Sequence, residues 1–178
     1  MTLLTQDTAL ALWHDVIKHA ESNCSIHLDE DLESYLISLL IRYTNKPEIV
    51  DKVFALAFLE AANMPNSQRQ VVLQEVGDQC LLFAGLFPHT AEKKRVKISY
   101  FVNLGRTAYN AVSHNANDLY WSLGVKFVSL MDVLQAIPTH TDLLPLTAYE
   151  LWREVGSQRA LKILQSYTKA IPVTKLKW

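Results

Sequence analysis

The sequence predicts an all-α protein, a single-domain bundle of about seven helices over residues 1–178. Three observations predict it. Apolar residues recur at helical spacing along most of the chain, and no stretch alternates with period two. No Asn-Gly or Asp-Gly hairpin signal occurs. Five glycines and six prolines in 178 residues leave little turn material, as short helix connections require. A composition 49% apolar and 20% charged argues against extensive disorder, and the length suffices for a sizeable core.

The first helix is expected from about Asp7 to Ser22, with Leu10, Trp13, Val16, Ile17 and Ala20 on one face. The second begins at Asp29, where Asp29, Glu30, Asp31 and Glu33 crowd the positive end of the helix dipole. Its apolar face is Leu32, Tyr35, Leu36, Leu39, Leu40 and Tyr43. Pro47 suits the first turn of a third helix that carries Ile49, Val50, Val53, Phe54, Ala57, Phe58 and Ala61 and is stopped by Asn63 and Pro65. Asn66 or Ser67 should cap the fourth, where Ser67 and Gln70 fit a capping box; it ends at Phe87-Pro88. After the loop His89–Glu92, a fifth helix runs to about Val112 along Ile98, Phe101, Gly105, Ala108 and Val112. A sixth starts near Asn115 or Asn117, carries Tyr120, Leu123, Phe127, Leu130, Leu134 and Ile137, and closes at Pro138. Thr147 to Ala170 forms one helix or two, with Gly156-Ser157 as the kink or break, and Pro172 leads into a basic tail.

The formal net charge of −1 supplies no field that would recruit nucleic acid or an anionic membrane. It conceals a polarity: residues 1–60 carry ten acidic and four basic side chains, −6, and residues 61–178 carry eight and thirteen, +5. Such a split implies either internal complementarity or the orientation of a partner. Cys24 and Cys80 are too few for a disulfide scaffold, and Cys80 reads as a small buried hydrophobe. Met1-Thr2-Leu3-Leu4 lacks the basic start of a secretory signal, and the longest apolar run, Cys80–Phe87, has eight residues. A cytoplasmic location is therefore expected, with no membrane and no nucleic acid among the partners.

Two glycine-bearing stretches carry the strongest local signal. A glycine inside a helix costs roughly 1 kcal/mol relative to alanine, so close approach of a backbone or a ligand should compensate. Gly77, Cys80 and Ala84 form one small-residue stripe, and Gly105 and Ala108 another, so the fourth and fifth helices are expected to pack closely. Asp78 precedes the apolar run and should be buried, which demands a partner for its carboxylate. Arg106 is the expected partner, with a tyrosine hydroxyl or backbone amides as alternatives. A ligand-facing cluster of Asp78, Tyr100, Asn103, Arg106 and Tyr109 is the functional reading of the same residues. The basic run Lys93, Lys94, Arg95 and Lys97 reads first as a solvated loop, but it opposes the positive end of the fifth helix, which points to an anion, an acidic partner or an irregular entry segment.

The histidines form no metal pattern: His14 and His19, five apart, diverge by about 140° around a helix. There is no His-Glu-x-x-His, no Cys-x-x-Cys, no phosphate loop and no nucleophile elbow. No metal and no cofactor are expected.

The run Gly77-Asp78-x-x-Leu81-x-x-x-Gly85-x-Phe87-Pro88, followed by Tyr100-x-x-x-x-Gly105-x-x-Ala108-Tyr109, resembles a small bacterial all-helical family. Phe127-Val128-x-Leu130-x-Asp132-Val133-Leu134 and Tyr35-Leu36-x-x-Leu39-Leu40 extend the similarity over about residues 30–135. The family has no established activity, so the resemblance implies a bacterial origin and no mechanism. The expected function is a non-catalytic interaction or regulatory module that binds a protein, its own copy included as a homodimer. Trp13, Trp152 and Trp178 place that interface on the first or last helices. The alternative is an enzyme or small-ligand binder with a pocket between helices 67–87 and 97–112.

Overall fold

In the computed structural model residues 6–45, 54–88, 95–137 and 145–167 are described. They form nine helices and no strand: α1 Gln6–Cys24, α2 Glu30–Asn45, α3 Phe54–Ala61, α4 Asn66–Leu86, α5 Ile98–Val112, α6 Leu119–Val125, α7 Phe127–Gln135, α8 Pro145–Val155 and α9 Gln158–Tyr167. The all-α prediction holds. The count exceeds seven because two expected helices each divide: the sixth at Lys126, and the last at Gly156-Ser157, where Gly156 takes φ +74°. The Pro47 start, the His89–Glu92 loop, Lys93, Lys94 and Trp178 lie outside the described residues.

Two expected caps are corrected. α4 starts directly after Pro65, with no side-chain cap bond, so the Ser67/Gln70 box does not form. Proline already fixes φ ahead of Asn66 and leaves Ser67 inside the first turn instead of at the cap. α6 starts at Leu119, close to the expected Asn117 and away from Asn115, and the cap is Asp118, the better acceptor. Its carboxylate takes the backbone N–H of Trp121 at 2.8 Å, of His114 at 2.6 Å and of Asn115 at 3.4 Å. Those bonds hold the Asp118 carboxyl below its usual range.

α4 is the central helix, packed against α5, α7 and α3, and it is buried from Val76 to Gly85. One apolar cluster joins α1, α2 and α4 to α9, with Ile17, Leu36, Leu81, Phe127 and Leu130 fully enclosed. A smaller cluster of Ala61, Leu73 and Val112 lies beneath α3.

The glycine stripes mark close approach, but what enters them is large. A Cβ on Gly77 would lie 2.6 Å from Tyr109 Cε1, and one on Gly105 would lie 2.5 Å from Phe127 Cε2 and 3.0 Å from the Cys80 Cβ. Each glycine is a notch that admits an aromatic ring from another helix. Gly85 takes the Leu134 side chain in the same way. The contacts at Gly77 and Gly105 lie in the seam between α4 and α5, the place the alternative reading gives to a ligand pocket.

Candidate functional site

Asp78 stands on the inward side of α4, buried, where α2, α5 and α6 converge on it. The Tyr109 hydroxyl of α5 donates to its Oδ1 at 2.7 Å, and the Tyr35 hydroxyl of α2 donates to the same oxygen at 2.5 Å. Arg42, seven residues beyond Tyr35 and hence on the same face of α2, donates from Nη2 to Oδ2 at 3.3 Å. Its guanidinium lies 6.0 Å from the Tyr35 ring centre. Gln74, one turn before Asp78, donates to the Tyr35 oxygen at 3.4 Å. Tyr120 of α6 completes a tyrosine trio, its ring 6.3 Å from Tyr35 and 6.4 Å from Tyr109.

Burial pushes the Asp78 carboxyl above its usual range, against the pull of the two phenols and Arg42. Burial, reinforced by the Asp78 charge, also raises the Tyr35 and Tyr109 phenols, which therefore stay protonated and donate. With both oxygens of the carboxylate taken and both phenols held protonated, the cluster ties α2, α4 and α5 together.

Of the five residues expected to form a ligand-facing cluster, the structure brings together Asp78 and Tyr109. Arg106 is not the Asp78 partner: its Nε donates to the Gly124 carbonyl at 3.4 Å, because that side of α5 meets α6 while α2 supplies Arg42. Tyr100 is 45% exposed, its ring edge-on to Phe101, and Asn103 is exposed, its carbonyl accepting the Thr107 hydroxyl. Lys97 finds its anion within the chain, at 3.0 Å from Glu154 and 3.9 Å from Glu150 of α8. Arg95 is exposed at φ +57°, an irregular entry to α5. A cleft of about 210 Å³ lies between this entry and α8, and its charges are balanced by the same two glutamates.

Three groups were missed as site residues. In the sequence Tyr35 belongs to the apolar face of the second helix and to the Tyr35-Leu36-x-x-Leu39-Leu40 motif, and Arg42 carries no expectation, although their seven-residue spacing is a usable signal. The third, Asp132 of α7, is fully buried and reaches the start of α9. It accepts from the Ser157 hydroxyl at 2.6 Å and from the Arg159 backbone N–H at 3.4 Å. Burial pushes its carboxyl up to about 6, although the Ser157 bond pulls the other way. Nearby, Gln135 donates to the Ala84 carbonyl at 3.0 Å and accepts from Arg159 Nη1 at 3.1 Å. Between α1 and α2, Lys18 donates to Glu33 at 2.6 Å and lies 3.5 Å from Glu21, while His14 lies 3.2 Å from Glu33.

Among the described residues no group of three or more His, Cys, Asp or Glu is arranged to hold a metal ion, and no helix is long and apolar enough to cross a membrane. Comparison with protein-family models, with curated proteins and with solved structures gives no significant match.

Proposed function

We propose that this protein is a non-catalytic helical module that acts by binding another protein. The observation that carries the reading is that the two buried carboxylates at helix junctions, Asp78 and Asp132, are engaged by the fold. Asp78 is occupied by Tyr35, Tyr109 and Arg42, and Asp132 by the start of α9. A catalytic group must keep a face open to substrate, and these carboxylates do not. Trp13 and Trp152, expected at an interface, are half-buried against the core and keep part of their surface open. A bacterial origin and a cytoplasmic location belong to the same proposal, the first from the resemblance over residues 30–135.

Native mass spectrometry of the full chain purified gently from its own cells tests this reading. The expected result is a stoichiometric protein partner, and a mass of twice the chain that persists on dilution identifies that partner as a second copy. A stoichiometric small molecule with no protein partner would overturn the reading in favour of a ligand-binding function.

A further inference from the structure

Resting on that interaction reading, we propose that the groove between α1 and the end of α7 docks a basic amphipathic helix of the partner protein. Leu12, Val16 and Ala20 succeed one another at four-residue spacing and so share one face of α1. Ala136 and Ile137 face them from the end of α7, and the groove between encloses about 370 Å³ with a largely apolar lining. Leu12 is 53% exposed there, an aliphatic side chain left in water by its own fold. A groove floored by aliphatic residues one turn apart fits the i, i+4, i+7 anchors of a helix laid along it.

The rim supplies the sign of the partner. Asp15 lines this groove and also the groove on the other side of α1, which it shares with Glu30 and Glu33. Asp15 is exposed, lies 3.9 Å from the His14 ring and shares this groove with His19. Asp29, Glu30 and Asp31 are exposed along the start of α2. Lys18, the lysine of this edge, is already engaged by Glu33 and Glu21. The edge thus belongs to the segment of charge −6 and presents exposed carboxylates at Asp15, Asp29, Glu30 and Asp31. An anionic membrane or a nucleic acid would be repelled, whereas a helix with leucines on one face and lysines on its flanks meets both groove and rim.

The full chain is titrated with a fluorescent helical peptide of about five turns, leucine at the anchor spacing and lysine elsewhere. A second peptide has glutamate at every lysine. The lysine peptide is expected to bind saturably, at least about tenfold more tightly than the glutamate peptide, and more weakly as salt is raised. Leu12→Gln and Asp15→Lys, both at exposed positions and checked by thermal melting, should each weaken binding about tenfold or more. Val125→Gln, at an exposed site on α6, should leave it unchanged. No binding, equal binding of both peptides, or equal loss in all three variants would overturn the groove assignment. A protein partner still found by native mass spectrometry with Leu12→Gln would also overturn the groove and leave the interaction reading standing. Loss of a native partner in Leu12→Gln but not in Val125→Gln supports both.

Discussion

Asp78 gives the sharpest test of how the helices are held. Asp78→Ala removes the acceptor for two phenols and one guanidinium, and these do not lose equally. Tyr109 is fully buried, so its hydroxyl is stranded at a cost of about 1–3 kcal/mol. Tyr35 is only partly buried and the Arg42 side chain is 47% exposed, so water takes over much of what the carboxylate supplied to both. The void left by the carboxylate adds to the loss, and removal of a buried charge offsets part of it. The balance is about 2–4 kcal/mol, below the 3–5 kcal/mol of a fully buried pair broken on one side. In a chain of this size that lowers the melting temperature by about 4–16 °C. Asp78→Asn keeps the volume and one acceptor oxygen, and burial already favours the neutral form, so it should cost within about 1 kcal/mol. Urea unfolding of the two variants beside the parent measures both numbers. If Asp78→Ala unfolds at the parental midpoint, or Asp78→Asn loses as much as Asp78→Ala, the cluster does not work as described.

Other expectations follow from the same contacts. Gly105→Ala would force Phe127, which is fully buried, to move, and should destabilise by about 1–3 kcal/mol despite alanine's better helix propensity, as read by the urea midpoint. Gly156→Ala meets no atom within 4 Å, yet at φ +74° it should cost about 1–2 kcal/mol; a neutral result would show that the α8–α9 joint relaxes freely. Asp132, with a carboxyl raised from 3.8 to about 6, contributes stability that is full below about pH 4 and lost as pH rises through 6. Asp132→Asn should therefore flatten the stability profile between those values by about 3 kcal/mol, and identical slopes in parent and variant would refute the assignment.

The fold was legible where local chemistry decides it. Acidic side chains in the first turn of α2 and the proline after α4 lie close to where the helices begin and end, because caps and dipoles act over a single turn. The break at Gly156-Ser157 was readable too, since glycine alone adopts that φ without strain. Burial of Asp78 followed from the apolar run after it, and the glycines announced close approach. What entered the notches was not readable: Tyr109 and Phe127 reach Gly77 and Gly105 from other helices, and the crossing of those helices is set by the packing of the whole core. The same applies to Arg42, thirty-six residues from Asp78, and to Ser157, twenty-five from Asp132. Lys97 is an intermediate case. Its conflict with the α5 dipole was visible, but the glutamates that resolve it come from α8.

The polarity of charge along the chain had two explanations, and the ion pairs weigh between them. Lys18 with Glu33 and Glu21 is confined to the acidic first third, and Lys97 with Glu154 and Glu150 to the basic remainder. Arg42 with Asp78 crosses from one to the other, but in the sense that deepens the imbalance: it spends one of the four basic side chains of residues 1–60 on an acid of the remainder. These pairs therefore do not neutralise one segment with the other. Among the described residues of the acidic segment, Asp15, Asp29, Glu30 and Asp31 are exposed along the α1–α2 edge. Such a surface lowers its energy by gathering cations, and salt weakens that gain over a Debye length of about 8–10 Å. Beside an apolar groove, the cation that gains most is one carried on an apolar helix, because its leucines leave water in the same step that brings its lysines to the carboxylates.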